Sequence, residues 1–126
     1  MLEKEFIPHT ESLVLKELGF DEPCFGMFKV NKLYIDYPRI TNNVLKKTNL
    51  DNYCTAPTYS QAFKFFREKY NLKSWIEEHT VDTFIYQIRP HKLTDYSDGE
   101  IYVYERYEEA ELTCLKKLIE IVINEK

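Results

Sequence analysis

The spacing of apolar side chains changes period along this chain, and the changes mark out its elements. Tyr59, Ala62, Phe63, Phe66 and Tyr70 recur at intervals of three, four and seven, with Lys64, Arg67 and Glu68 on the opposite side. That is the pattern of an amphipathic helix. Its start is fixed by a capping box: the Thr58 hydroxyl takes a backbone N–H, and the Gln61 side chain reaches back to the cap. Pro57 prevents an earlier start, and Asn71 supplies the stop. From Ser74 the period falls to two. Phe84, Tyr86 and Ile88 alternate with Ile85, Gln87 and Arg89, and Ile101 and Val103 alternate with Tyr102, Tyr104 and Arg106. Strands present alternate residues to a core in this way. A shorter first strand is expected around residues 75–77, and Asp98-Gly99 suits a turn within the loop 91–100. The last helix is expected from Tyr107, because Glu108, Glu109 and Glu111 sit where the positive end of a helix favours carboxylates.

That last helix is apolar over an unusually wide arc. At 100° per residue, Ala110, Leu112, Cys114, Leu115, Leu118, Ile119, Ile121, Val122 and Ile123 spread over roughly 220°, whereas a helix resting on one sheet needs a stripe of ~100°. Either the N-terminal region or a second copy of the chain covers the remainder. In the second case Leu112, Leu115, Ile119 and Ile123 form the self-association face of a homodimer.

The first half is more irregular. A short helix capped by Thr10 and closed by Gly19 is followed by a hairpin over residues 25–30 and 33–37 turning at Asn31-Lys32. Residues 38–57 show no clear period. So long a loop is uncommon in a compact domain, and it either holds a short helix near residues 43–47 or has a function. The expected architecture is therefore α+β: α-β-β, then α-β-β-β-α, with an antiparallel sheet and helices packed on one face. Residues 1–126 read as a single domain whose N-terminal part is 1–55 and whose C-terminal part is 56–126.

Composition narrows the class. With 126 residues, 30% charged, 15% aromatic and three glycines, the chain can build a core without staples. No run approaches the length of a membrane span, and the first residues lack the basic and apolar regions of a secretion signal, so a cytoplasmic protein without membrane attachment is expected. Cys24, Cys54 and Cys114 form no Cys-x-x-Cys pair, which argues for reduced thiols. The net charge of −4 disfavours nucleic acid as a partner.

Two resemblances bear on this reading. The order helix, three strands, helix resembles the double-stranded-RNA-binding domain. Glu109-Ala110, Cys114 and residues 116–119 (Lys-Lys-Leu-Ile) are similar to that family's last helix, and His79 loosely resembles its loop histidine. The lysines with which that family grips phosphates are matched here by Tyr107, Glu108, Glu109 and Glu111, so the likeness implies the topology rather than the ligand. Over its whole length the chain resembles short proteins of phages and prophages of gut Bacteroidales. The likeness is carried by residues 5–8 (Glu-Phe-Ile-Pro), 15–24 (Leu-Lys-Glu-Leu-Gly-Phe-Asp-Glu-Pro-Cys), 59–63 (Tyr-Ser-Gln-Ala-Phe), 66–72 (Phe-Arg-Glu-Lys-Tyr-Asn-Leu), 107–111 (Tyr-Glu-Glu-Ala-Glu) and 114–121 (Cys-Leu-Lys-Lys-Leu-Ile-Glu-Ile). This resemblance implies an infected or lysogenic bacterium as the setting, and no catalytic residues.

Candidate chemistry is sparse. His9, His79 and His91 lie in three segments without the i, i+4 spacing of a metal pair, and Asp95, Asp98 and Glu100 fit turn chemistry better than a calcium loop. No metal or cofactor is expected. Cys54 with His79 or His91 is the one cysteine nucleophile that can be constructed, against the alternative of a small core residue. What remains is the outward sheet face, Gln87, Arg89, Tyr102, Tyr104 and Arg106, whose flat rings and fixed donors suit a protein partner or a stacked nucleobase. The leading expectation is a non-catalytic phage or prophage accessory protein binding a host or phage protein. The alternatives are an anti-defence protein sequestering a nucleotide signal and a degenerate double-stranded-RNA-binding-like module.

Overall fold

Pro8 decides where the first helix begins. In the computed structural model, which describes residues 2–35, 39–47, 53–89 and 103–124, α1 runs His9–Glu17 with Pro8 at its N-cap, φ −63° and ψ 162°. Thr10 is therefore inside the helix and does not cap it; the fixed φ of proline and its missing N–H already suit a helix start. The end is as expected. Gly19 takes φ 98°, its N–H donates to Lys16 O at 3.1 Å, and the Phe20 N–H donates to Leu15 O at 2.9 Å. This doubly bonded glycine stop satisfies carbonyls that the helix leaves open.

β1 (Gly26–Lys29) and β2 (Lys32–Tyr34) pair antiparallel with Lys29 opposite Lys32, so the turn is Val30-Asn31, one residue earlier than anticipated. Val30 consequently sits at φ 60°, a region branched side chains avoid. Register is decided by burial rather than by turn chemistry: Phe28 opposite Leu33 packs with Cys54, Ala56 and Phe6, and a one-residue slip would turn Phe28 outward. The long segment after β2 holds α2 (Asn42–Lys47), where a short helix is expected, and β3 (Tyr53–Ala56), which periodicity does not show. β3 adds antiparallel to β1, giving the order β2-β1-β3. Cys54, Thr55 and Ala56 are all buried, so the strand has no polar face to produce alternation. Gly26 is required by close approach, since a Cβ there would lie 2.8 Å from the Phe6 ring.

The capping box forms as predicted: the Thr58 N–H donates to Gln61 Oε1 at 3.1 Å, and the Gln61 N–H donates to Thr58 Oγ1 at 3.2 Å. It opens α3 (Tyr59–Tyr70), which ends as Asn71 turns to φ 56°. The boundary between two compact units, Met1–Ala62 and Phe63–Lys126, falls inside α3.

In the second unit, β4 (Lys73–Thr80) and β5 (Thr83–Arg89) form an antiparallel hairpin closed by Val81-Asp82. β4 is much longer than residues 75–77. Its far end is tied by the Thr80 N–H donating to Thr83 Oγ1 at 3.1 Å, with an irregularity between Glu78 and Thr80. The third strand is reduced, among the described residues, to one bridge in which Phe84 and Tyr104 exchange backbone hydrogen bonds of 2.8 and 2.9 Å. The expected turn at Asp98-Gly99 lies outside the described residues.

α4 (Tyr107–Asn124) closes the chain and packs on β5 and β4. The class is α+β, with the strands distributed over two antiparallel sheets. The wide apolar arc of α4 is largely hidden within the protomer: Ala110, Cys114, Leu115, Leu118, Ile119, Ile121 and Val122 are all buried.

Candidate functional site

The hairpin register sorts the sheet residues named from sequence. Cross-strand partners share a face, so Trp75 opposite Gln87, Glu77 opposite Ile85 and Lys73 opposite Arg89 lie together. The other face carries Ile76 with Tyr86, Ser74 with Ile88 and Glu78 with Phe84. Tyr104 bridges Phe84 and therefore joins this second face, where its ring stacks on Tyr86 at 6.3 Å. Sequence alternation alone places Tyr104 beside Gln87 and Arg89; the bridge moves it to the opposite side. Arg106 is exposed just ahead of α4, and Tyr102 lies outside the described residues.

The first face is buried along β5 and open along β4. Ile85 and Gln87 are each 6% exposed, whereas Trp75 is 42% exposed and Lys73, Glu77 and Arg89 are exposed. Arg89 lies over the Trp75 ring, 5.9 Å from its centroid, and Gln87 Nε2 donates to Glu77 Oε1 at 3.2 Å. The guanidinium is attracted by the electron-rich indole face and limits the ring's motion. An indole thus stands half out of the surface with a cation over it and charges of both signs on either side. Sequence reasoning missed Trp75. The available signal was its place between Lys73 and Glu77 at a spacing of two, which ranks a charged, tryptophan-centred row beside the tyrosines.

A concavity in the first unit has a volume of about 570 Å³ and is lined by residues of α1, the turn after it and α2. Three of its polar side chains are bonded to backbone. Lys16 Nζ donates to Tyr53 O at 3.0 Å, Asp21 Oδ1 accepts the Asn43 N–H at 2.7 Å, and the buried Asn42 donates to Phe20 O at 2.9 Å while accepting the Thr55 N–H at 3.0 Å. Bonds of this kind brace α2 against β3 and the end of α1.

Cys24 and Cys54 lack the exposure of a reactive thiol. Cys54 is in the middle of the β1–β3 pairing, fully buried, and burial pushes its thiol up to about 11; Cys24 is also buried and pushed up to about 11 by burial. A nucleophilic cysteine needs the opposite shift. His79 is exposed on β4, and His91 lies outside the described residues. Both thiols should therefore resist iodoacetamide at pH 8 in the native state and react readily in urea, as read by mass spectrometry. Raised folded pKa values also set the sign of a pH effect: stability holds below pH 9, where the unfolded thiols are protonated too, and falls between pH 9 and about 11. The melting temperature of Cys24→Ala/Cys54→Ala should fall less steeply across that window.

At the start of α4, burial first, then Glu111 and Cys114, push the Tyr107 hydroxyl up, and Glu108 and Glu109 occupy the first turn. Among the described residues no three His, Cys, Asp or Glu side chains are grouped to hold a metal ion, and no helix is long and apolar enough to cross a membrane. No protein-family model, curated protein or solved structure matches this chain.

Proposed function

We propose that this chain is a non-catalytic binding protein that holds a protein partner against the Trp75 and Arg89 face of its β4–β5 hairpin. The observation that carries the reading is the half-exposed indole with Arg89 over its ring and with Lys73 and Glu77 beside it. Trp and Arg dominate the energetics of protein interfaces. A ring already held in place loses less freedom on binding than a mobile one. The buried, protonated thiols support a holding role over a chemical one. The sequence resemblance to phage and prophage proteins supplies the setting: a host or phage protein as partner, met in the cytoplasm of the bacterial host.

The test is affinity capture from lysate of infected host cells, comparing the wild-type chain with Trp75→Ala and Arg89→Ala. A protein enriched by the wild type and reduced at least about tenfold by each variant is expected, the usual size of an interface hot spot. Equal capture by all three overturns the reading. The same indole and guanidinium could enclose a nucleobase, and a thermal-shift screen of linear and cyclic nucleotides distinguishes that second reading, which predicts stabilisation of the wild type alone.

A further inference from the structure

We propose that two copies of this chain join through the outer edge of β4, antiparallel about a twofold axis at Trp75, with Lys73 of each copy opposite Glu77 of the other. The inference concerns the strand's edge and so goes beyond the partner reading, which uses its face.

Among the described residues β4 pairs only with β5, so its other edge presents unpaired backbone groups. The bond pattern identifies them. Phe84 spends both its N–H and its C=O on Tyr104, away from β4. Alternation along β5 then aims Ile85, Gln87 and Arg89 at β4, bonding to Glu77, Trp75 and Lys73. The backbone groups of Ser74, Ile76 and Glu78 are left pointing outward. An open edge of this kind is a template for another strand unless charge or shape forbids it.

The occupant follows from charge. For two hairpins to form one continuous sheet with both α4 helices on the same side, residues of equal parity must meet. The twofold can then fall on any one residue of β4, and towards mid-strand the choices are Trp75, Ile76 and Glu77. An axis at Glu77 sets that carboxylate against its own copy, and an axis at Ile76 sets Glu77 against Trp75 and Lys73 against His79. Only the axis at Trp75 brings Lys73 onto Glu77, twice by symmetry, with the two indoles facing across the axis. In this register Ser74 and Ile76 of opposite copies exchange their outward hydrogen bonds, and the side-chain pairs fall at the closer, non-hydrogen-bonded positions. A further feature of the hairpin agrees. Lys73 lies opposite Arg89 within one chain, a like-charged pair that is unfavourable alone and that the incoming Glu77 neutralises. The irregularity after Glu78 ends the usable edge and limits the assembly to this short overlap.

Sedimentation velocity across about 1–300 µM tests the pairing. The wild type should show a concentration-dependent dimer. Lys73→Glu and Glu77→Lys should each weaken it by about tenfold or more, since each turns two opposite-charge contacts into like-charge ones. An equimolar mixture of these two variants should form a heterodimer at least as tight as the wild-type dimer, because every charge again meets its opposite. That rescue in trans also excludes loss of folding as the cause. A wild type that stays monomeric throughout, or single variants that dimerise unimpaired, or a mixture that does not associate, each overturns the proposal. Arg89→Ala is expected to lose partner capture and keep the dimer, whereas Lys73→Glu loses the dimer, so failure of one reading is separable from failure of the other.

Discussion

Asn42→Ala is expected to cost about 2–6 kcal/mol of folding stability, because it strands two buried backbone groups at about 1–3 kcal/mol each. The side chain is 7% exposed and serves both ends of its amide: Nδ2 donates to Phe20 O at 2.9 Å, and Oδ1 accepts the Thr55 N–H at 3.0 Å. Phe20 follows the glycine stop of α1, and Thr55 is on the edge of β3 that faces away from β1. One amide therefore fastens an edge strand to a helix end. Asn42→Asp separates this account from simple loss of volume. Its carboxylate can still accept from Thr55 but faces the Phe20 carbonyl as a second acceptor, so at pH 7 a loss of similar size is expected. Protonation restores a donor. The folded carboxyl is thus raised in pKa, and part of the loss should be recovered as pH falls towards 4. Urea midpoints for the three proteins at both pH values provide the measurement; a change below about 0.5 kcal/mol for Asn42→Ala, the size of an ordinary surface substitution, would contradict the bracing role.

Asn42 also shows why the first half of the chain carries little local signal. Nothing in its spacing distinguishes a buried double bracket from a polar loop residue, since its partners are backbone groups 22 and 13 residues away. β3 was hidden for a related reason: a four-residue strand buried throughout has neither the length nor the alternation that a period needs. Where the signal is local, the sequence is legible. The capping box at Thr58, the left-handed stops at Gly19 and Asn71 and the acidic first turn of α4 all depend on neighbours within a few residues, and all are present. The candidate site lies between these cases. Alternation along β5 placed Arg89 and Gln87 on one face correctly. The register of Tyr104 depends on a bridge to Phe84 across a long connection, which no local pattern sets, and Trp75 gained its importance only from Arg89 arriving over it.

The same limit governs α4, and a pair of truncations there tests it. Leu115 and Ile123 both belong to the arc that suggests a self-association face from sequence, yet Leu115 is fully buried in the protomer and Ile123 is 51% exposed. Leu115→Ala is expected to cost about 2–5 kcal/mol, the loss of a well-packed leucine and the cavity left behind. Ile123→Ala should change stability by no more than about 0.5 kcal/mol. Neither should alter the oligomeric state of molecules that remain folded, because Leu115 and Ile119 already have neighbours within their own chain and Leu112 is half-buried. If α4 were instead the subunit interface, Leu115→Ala would raise the dissociation constant while sparing the fold of the monomer. The arc's width reports how much apolar surface must be covered and is silent about which chain covers it. Denaturation and light scattering on the two variants together distinguish an internal covering from an external one, and an intact monomer with Leu115→Ala would return α4 to the surface.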